Sequence, residues 1–212
     1  MDSMMITCVV ACSILACLQT VMAAGWPAGV KTPWFCHDLE CPVYTVNETN
    51  ANFETRQYAP SVWVATRVSV VNYTRDANRK MFYTLFHYIS GNNSRHLKIP
   101  MTAPVVRQID PCQGSNCMSN YTEHFMMPFN LQSNPPVPTE AGVFIRSLPA
   151  MTVYVRSYGG YGSEELTQQN RKALVQDLQA ANKQFNQDHY YTAGYDGPYA
   201  FIRHNEVWLA AI

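Results

Sequence analysis

The sequence predicts an α+β domain, an antiparallel β-barrel with one helix from each half of the chain laid against it. Residues 61–71 and 151–158 alternate apolar and polar side chains, the period of a half-buried strand. Two stripes of apolar residues at helical spacing begin after Thr74 and Ser163, each a residue suited to capping a helix. The order strand, proline turn, strand, helix, strand occurs twice, with Arg56, Pro60 and Arg67 echoed by Arg146, Pro149 and Arg156. That order suggests an internal pseudo-two-fold.

Residues 4–18 are an apolar run followed by Val21-Met22-Ala23, so residues 1–23 are expected to be a signal peptide cleaved after Ala23. The run is shorter than the roughly 20 apolar residues that cross a bilayer, and Gln19 and Thr20 interrupt it, so the mature chain is expected to carry no membrane span. Residues 24–44, with Pro27, Pro33 and Pro42, lack periodicity and read as an extension stapled by a cysteine pair; residues 45–212 form the domain. Residues 53–58 are a short strand, Ala59-Pro60 a turn, and 61–71 a strand with one aliphatic face and Arg67 on the other. From Thr74 to Gly91 a helix buries Ala77, Met81, Leu85, Tyr88 and Ile89. Its opposite face is unusual, because Phe82, Tyr83 and Phe86 stand beside Arg79 where charged residues are expected.

Residues 97–106, containing Pro100 and Pro104, read as an edge strand entering a rigid turn, since proline gives no amide hydrogen to a ladder. A cysteine-bearing loop (110–119), a short strand (124–129) and a stiff crossover through Pro135-Pro136-Val137-Pro138 follow. Strands at 143–146 and 151–158 lead to a second helix capped by Ser163, with Leu166, Leu174, Leu178, Ala181 and Phe185 as its buried stripe. Strands at 190–192 and 207–210 close the fold.

Fifteen basic and fifteen acidic residues cancel, so no field favours nucleic acid or an anionic membrane. The cysteines outside the leader are Cys36, Cys41, Cys112 and Cys117, two C-x4-C pairs. In a secreted chain they imply disulfides, with the local pairs Cys36 to Cys41 and Cys112 to Cys117 favoured over the other two connectivities and over a four-thiolate zinc site. Each such loop adds about 2 kcal/mol by loop entropy. Sequons at Asn47, Asn72, Asn92 and Asn120, in turn-like or element-flanking sequence, predict a glycosylated, extracellular surface. No G-x-S-x-G, H-E-x-x-H, P-loop or G-x-G-x-x-G motif is present, and the chain is expected not to be an enzyme.

The stretch Lys98-Ile99-Pro100-Met101-Thr102-Ala103-Pro104-Val105 resembles the signature of the SOUL haem-binding protein family. So do Arg56-Gln57-Tyr58-Ala59-Pro60, Met151-Thr152-Val153-Tyr154-Val155-Arg156, Tyr190-Tyr191-Thr192-Ala193-Gly194-Tyr195 and Asn205-Glu206-Val207-Trp208-Leu209, in order along the chain from about Pro42. The resemblance implies a distorted antiparallel β-barrel with two flanking helices, binding of haem or another tetrapyrrole, and no catalytic residues. It also implies a shallow apolar pocket beside the first helix, with Arg79 and Phe82 at matching positions and His87 where relatives carry a lysine; Tyr83 and Phe86 complete the face. An axial histidine proposed in part of the family falls on Gln57, a poor iron ligand, which leaves His87 or His96 as candidates. Relatives can also carry a basic residue within Pro198-Tyr199-Ala200-Phe201-Ile202, where this chain has none. The alternative is an extracellular protein-interaction module of the same fold, using the second helix, with a partner that the sequence does not specify.

Overall fold

The segment around Cys36 and Cys41 enters the molecule as a short 3-10 turn, Trp34–Cys36, and leads into the first of nine strands. The structure, a computed structural model, describes residues 32–114 and 117–212. The expected signal segment, and residues 24–31 of the extension, lie outside the described residues. The strands are β1 Tyr44–Thr49, β2 Glu54–Tyr58, β3 Ser61–Val70, β4 Val105–Asp110, β5 Ser119–Met126, β6 Val143–Leu148, β7 Met151–Tyr158, β8 Tyr190–Gly194 and β9 Asn205–Ala210. They pair antiparallel in the order β1-β2-β7-β9-β8-β4-β5-β3-β6, a curled half-barrel. The helices are α1 Arg75–Ile89, lying on β3 and β5, and α2 Glu164–Ala180, lying on β7 and β9. The fold is therefore the α+β distorted barrel with two helices that the sequence predicts.

Both helices begin where the capping residues place them. Thr74 accepts from the Ala77 amide at 3.1 Å and Ser163 from the Leu166 amide at 3.2 Å, satisfying a donor that the first turn leaves unpaired. Gly91, at φ +116°, follows the end of α1 in a conformation that side chains with a Cβ avoid. α1 buries Met81, Leu85, Tyr88 and Ile89 as expected, with Ala77 half-buried. On α2 the expected stripe needs correction. Leu174 and Leu178 are buried, but Leu166 is half-buried and Ala181 is exposed, because the helix stops at Ala180; Phe185 is buried from the turn beyond it.

Alternation splits the core in two. Val64, Phe125 and Met127 pack under α1 with Leu85, Tyr88 and Ile99, and Val207, Leu209 and Tyr154 pack under α2 with Leu174 and Leu178. On the reverse face Trp63, Val106, Met126, Val155, Tyr191 and Trp208 form an inner core, closed over by Phe35, Cys36 and Cys41. β3 is thus buried on both faces over its first half, where a single buried face is expected from its sequence.

Residues 97–104 are not a strand. β4 begins at Val105, past both prolines, and lies between β8 and β5 rather than at an edge. The proline run is held by isolated bonds instead: Ile99 donates to the Ile89 carbonyl at 2.8 Å, Ala103 to the Glu40 carbonyl at 3.0 Å, and Thr102 through its hydroxyl to the Met126 carbonyl at 2.8 Å. Proline excludes a ladder but not burial, and Ile99, Thr102 and Ala103 are all buried. Two further strands exceed expectation. β1 is an edge strand of mostly exposed residues, and β5 starts five residues earlier than its apolar part, at Ser119 rather than 124.

Cys36 and Cys41 have Cα atoms 6.2 Å apart and Cys112 and Cys117 5.9 Å, both at disulfide distance. Asn47 and Asn120 lie inside β1 and β5, not in turns, whereas Asn72 and Asn92 lie outside strands and helices. Asn47, Asn72 and Asn92 are exposed; Asn120 is half-buried and accepts from the Ser69 hydroxyl.

Candidate functional site

The outer side of α1 follows from the spacing of its residues. With 3.6 residues per turn, placing Met81, Leu85 and Tyr88 inward turns Arg79, Tyr83, Phe86 and His87 outward and leaves Phe82 at the margin. Tyr83 is 45% exposed and Phe86 41%, while Phe82 is half-buried with its ring edge-on to Phe125 at 5.3 Å. Phe82 and Phe86 are near-parallel, 15° apart with centroids at 6.0 Å, and Tyr83 stands across Phe86 at 6.4 Å. The Arg79 guanidinium lies 5.6 Å from the Tyr83 ring centre. The structure therefore brings Arg79, Phe82, Tyr83 and Phe86 together as one open aromatic surface with a cation at its rim.

The inward side makes this surface rigid. The Tyr88 hydroxyl donates to the Pro136 carbonyl at 2.7 Å, tying α1 to the proline crossover, and burial pushes that phenol up to about 12. Tyr73, just before the helix, stacks on Tyr121 at 4.1 Å.

The histidines and Gln57 occupy separate environments. His87 is exposed in the last turn of α1, its Nδ1 3.9 Å from a Glu140 oxygen. His96 is exposed in the turn that follows, at φ +50°. Gln57 sits on β2, where its side chain accepts from the Thr152 hydroxyl of β7; α1 packs on β3 and β5. Among the described residues no three His, Cys, Asp or Glu side chains converge as a metal site.

Sequence reasoning missed a polar cluster on the inner face. Glu206 is fully buried, with its carboxylate 3.0 Å from Arg56 Nη1 and 2.7 Å from His204 Nε2. It also accepts from the Tyr195 hydroxyl and from Trp208 Nε1, each at 2.8 Å. Burial alone would raise this carboxyl; His204, Arg56 and Trp208 reverse that and hold it below the usual carboxylate range. Every polar atom of the carboxylate is engaged, so the cluster is a clasp between β2 and β9 rather than an open site. The Phe35 ring stacks on His204 at 4.0 Å and 1°, which docks the stapled segment onto the clasp. Only the opposite-sign pair in the two motifs, Arg56 and Glu206, could have signalled it.

The comparisons with known proteins agree with this architecture. Heme-binding protein 2 of Homo sapiens is 38% identical over 159 residues, 74% of this chain and 77% of that protein. Heme-binding protein 2 of Mus musculus is 37% identical over the same shares. Among solved structures, the EcmrR C-terminal domain superposes with a TM-score of 0.56 at 11% identity, covering 80% of this chain and 98% of that one, a likeness of fold alone. Residues 39–210 match the family described as SOUL heme-binding protein, and the chain belongs to that family.

Proposed function

We propose that this chain is a secreted, non-catalytic haem-binding protein that holds the porphyrin against the outer face of α1. Its family and its relatives named Heme-binding protein 2 support the ligand class. The observation that carries the location is the exposure of Tyr83 and Phe86 next to Phe82 and Arg79. A flat apolar macrocycle with two carboxylates suits such a surface: the rings supply stacking area and the guanidinium a charge-assisted bond to a propionate. When bound, haem supplies an iron that either exposed histidine, His87 or His96, could ligate; apolar contact is the main term in this reading because Gln57 replaces the expected ligand. Other tetrapyrroles fit the same surface.

Secretion is proposed from the apolar pattern of residues 1–23, from the two cysteine pairs at disulfide distance, and from the sequons, of which Asn47, Asn72 and Asn92 are exposed. In this reading residues 24–44 are a stapled extension and 45–212 the binding domain. Among the described residues no helix is long and apolar enough to cross a membrane. Titration with hemin and with metal-free protoporphyrin, followed by Soret absorbance, tests the proposal. The expected outcome is similar affinity for both, a cost of about 1–3 kcal/mol for Phe82→Ala, and little change for His87→Ala. A Soret shift confined to hemin and lost in His87→Ala makes coordination the main term instead.

The second reading, a protein-interaction module, is favoured by one feature, the loop after β8. There Tyr199, Phe201 and Ile202 are 91%, 94% and 81% exposed. If neither hemin nor protoporphyrin binds below about 100 μM, near −5.5 kcal/mol, the haem reading gives way to that one.

A further inference from the structure

The buried side of α2 contains a residue that does not belong in a core stripe. Thr167, Arg171, Leu174 and Leu178 fall on one face at helical spacing, and Thr167, Leu174 and Leu178 are buried. Arg171 is half-buried on that face, its guanidinium 4.6 Å from the Tyr190 ring centre and its Nε buried without an acceptor. The other arginines beneath the helices have carboxylates: Arg107 pairs with Glu123 at 2.6 Å and Arg156 with Asp177 at 2.9 Å. Among the described residues Arg171 has no such partner. A guanidinium whose Nε is shut off from water with no acceptor and no counter-charge beside it is unfavourable, and a bound anion relieves it.

The surroundings are shaped for one. Arg171 lines a cleft of about 200 Å³ together with Gln179, Asn186, Gln187, Phe185 and Leu209. The Asn186 side-chain oxygen is already taken by the Asp188 and His189 amides, at 2.8 and 3.1 Å, which leaves its NH₂ as the polar group to offer. The cleft thus combines one cation and further carboxamide donors with an apolar wall from Phe185 and Leu209. Its volume is below the roughly 300–1,000 Å³ of drug-sized sites, so it suits a ligand of a few carbons and not a porphyrin.

We propose that this cleft binds a small organic carboxylate, its oxygens on Arg171 and the carboxamides and its carbon body against Phe185 and Leu209. The site lies under α2, apart from the α1 surface, and does not rest on the haem reading. The test follows the Arg171 Nε–Hε signal of the purified protein, identified by its loss in R171K, during titration with sodium benzoate at constant ionic strength. The expected result is a saturable shift with a Kd of about 1 mM or tighter, and at least tenfold weaker binding of benzamide, which has the same shape without the charge. R171Q should lose benzoate binding, read from the backbone amides of residues 185–187, while its amide spectrum away from the cleft and its urea midpoint remain those of the folded wild type. Equal binding of benzamide, absence of saturation by about 50 mM benzoate, or inorganic phosphate binding as tightly as benzoate would each overturn the assignment.

Discussion

On α1 the rings of Tyr83 and Phe86 stand in solvent while the inward side is built on Met81, Leu85, Tyr88 and Ile89; on α2 the outward side carries Glu164, Glu165, Gln169, Lys172 and Gln176, and the inward side carries the half-buried Arg171. Both helices are capped by a hydroxyl, and both lie on the same sheet. They depart from simple amphipathicity in opposite senses, one with apolar surface left outside, the other with a charge turned partly inside. Neither departure stabilises the isolated chain, since exposed rings gain nothing from water and a guanidinium with a buried, unpartnered Nε loses part of its hydration. The polar clasp at Glu206 shows what this fold does with a buried charge when no outside partner is involved: it surrounds the charge with donors.

The largest expected effects test whether the inward stripes hold the two helices equally. Leu85→Ala and Leu174→Ala, both at positions with no exposure, should each cost about 2–5 kcal/mol in urea unfolding. A cost below about 1 kcal/mol for Leu174→Ala, against a full cost for Leu85→Ala, would show that the Arg171 cleft lets the α2 side collapse around the missing side chain.

Acid separates the inner faces behind the two helices. Behind α1, burial and then the nearby Arg146 push His124 down to about 3, and its neutral ring sits between the Val106 carbonyl at Nδ1 and Arg146 at Nε2. Because the unfolded ring binds a proton near 6.5 and the folded one does not, this contribution is present above pH 6.5 and is lost progressively as pH falls toward 3, by about 2 kcal/mol at pH 5. Behind α2, the depressed Glu206 carboxyl loses its contribution only below the unfolded value of 4.5. Urea midpoints measured from pH 7 to 3 should fall from about pH 6.5 and then more steeply below 4.5, where the second loss joins the first. His124→Gln should remove the fall between pH 6.5 and 4.5 and leave that below 4.5; a pH profile unaffected by that substitution would contradict the assignment.

The smallest effects compare the caps. Thr74→Ala and Ser163→Ala should each cost about 1 kcal/mol, since their bonds differ by only a tenth of an ångström. Thr74 also completes the Asn72 sequon, so the melting temperatures are compared on protein produced in a host that adds no N-glycans. A much larger loss for Thr74→Ala would mean that the α1 terminus is held by more than its cap.

How much of this was legible in the chain depends on the range of the interaction. The α1 stripe and its anomalous outer face were legible from spacing alone, because a helix is a local object and its period places each side chain relative to the next. β1 was not, since Thr45 to Thr49 are exposed and an edge strand held by ladder bonds leaves no burial pattern to read. Residues 119–123 were missed for a related reason: Glu123 and Thr122 are polar yet fully buried, which only their partners Arg107 and Arg67 explain.

By itself the sequence determined the two helices with their caps, the inward residues of α1, and the five-residue separation that lets each cysteine find its neighbour. The tertiary structure alone decided which strands became neighbours, that 97–104 stays out of the ladder while β4 lies inside the sheet, that Arg56 meets Glu206, and that Arg171 meets no carboxylate among the described residues. The physical reason is that local backbone preferences act over a few residues, whereas strand pairing and the burial of charge join segments far apart in the chain. Such contacts depend on shape and on the low dielectric of the assembled core, neither of which exists until the chain has folded.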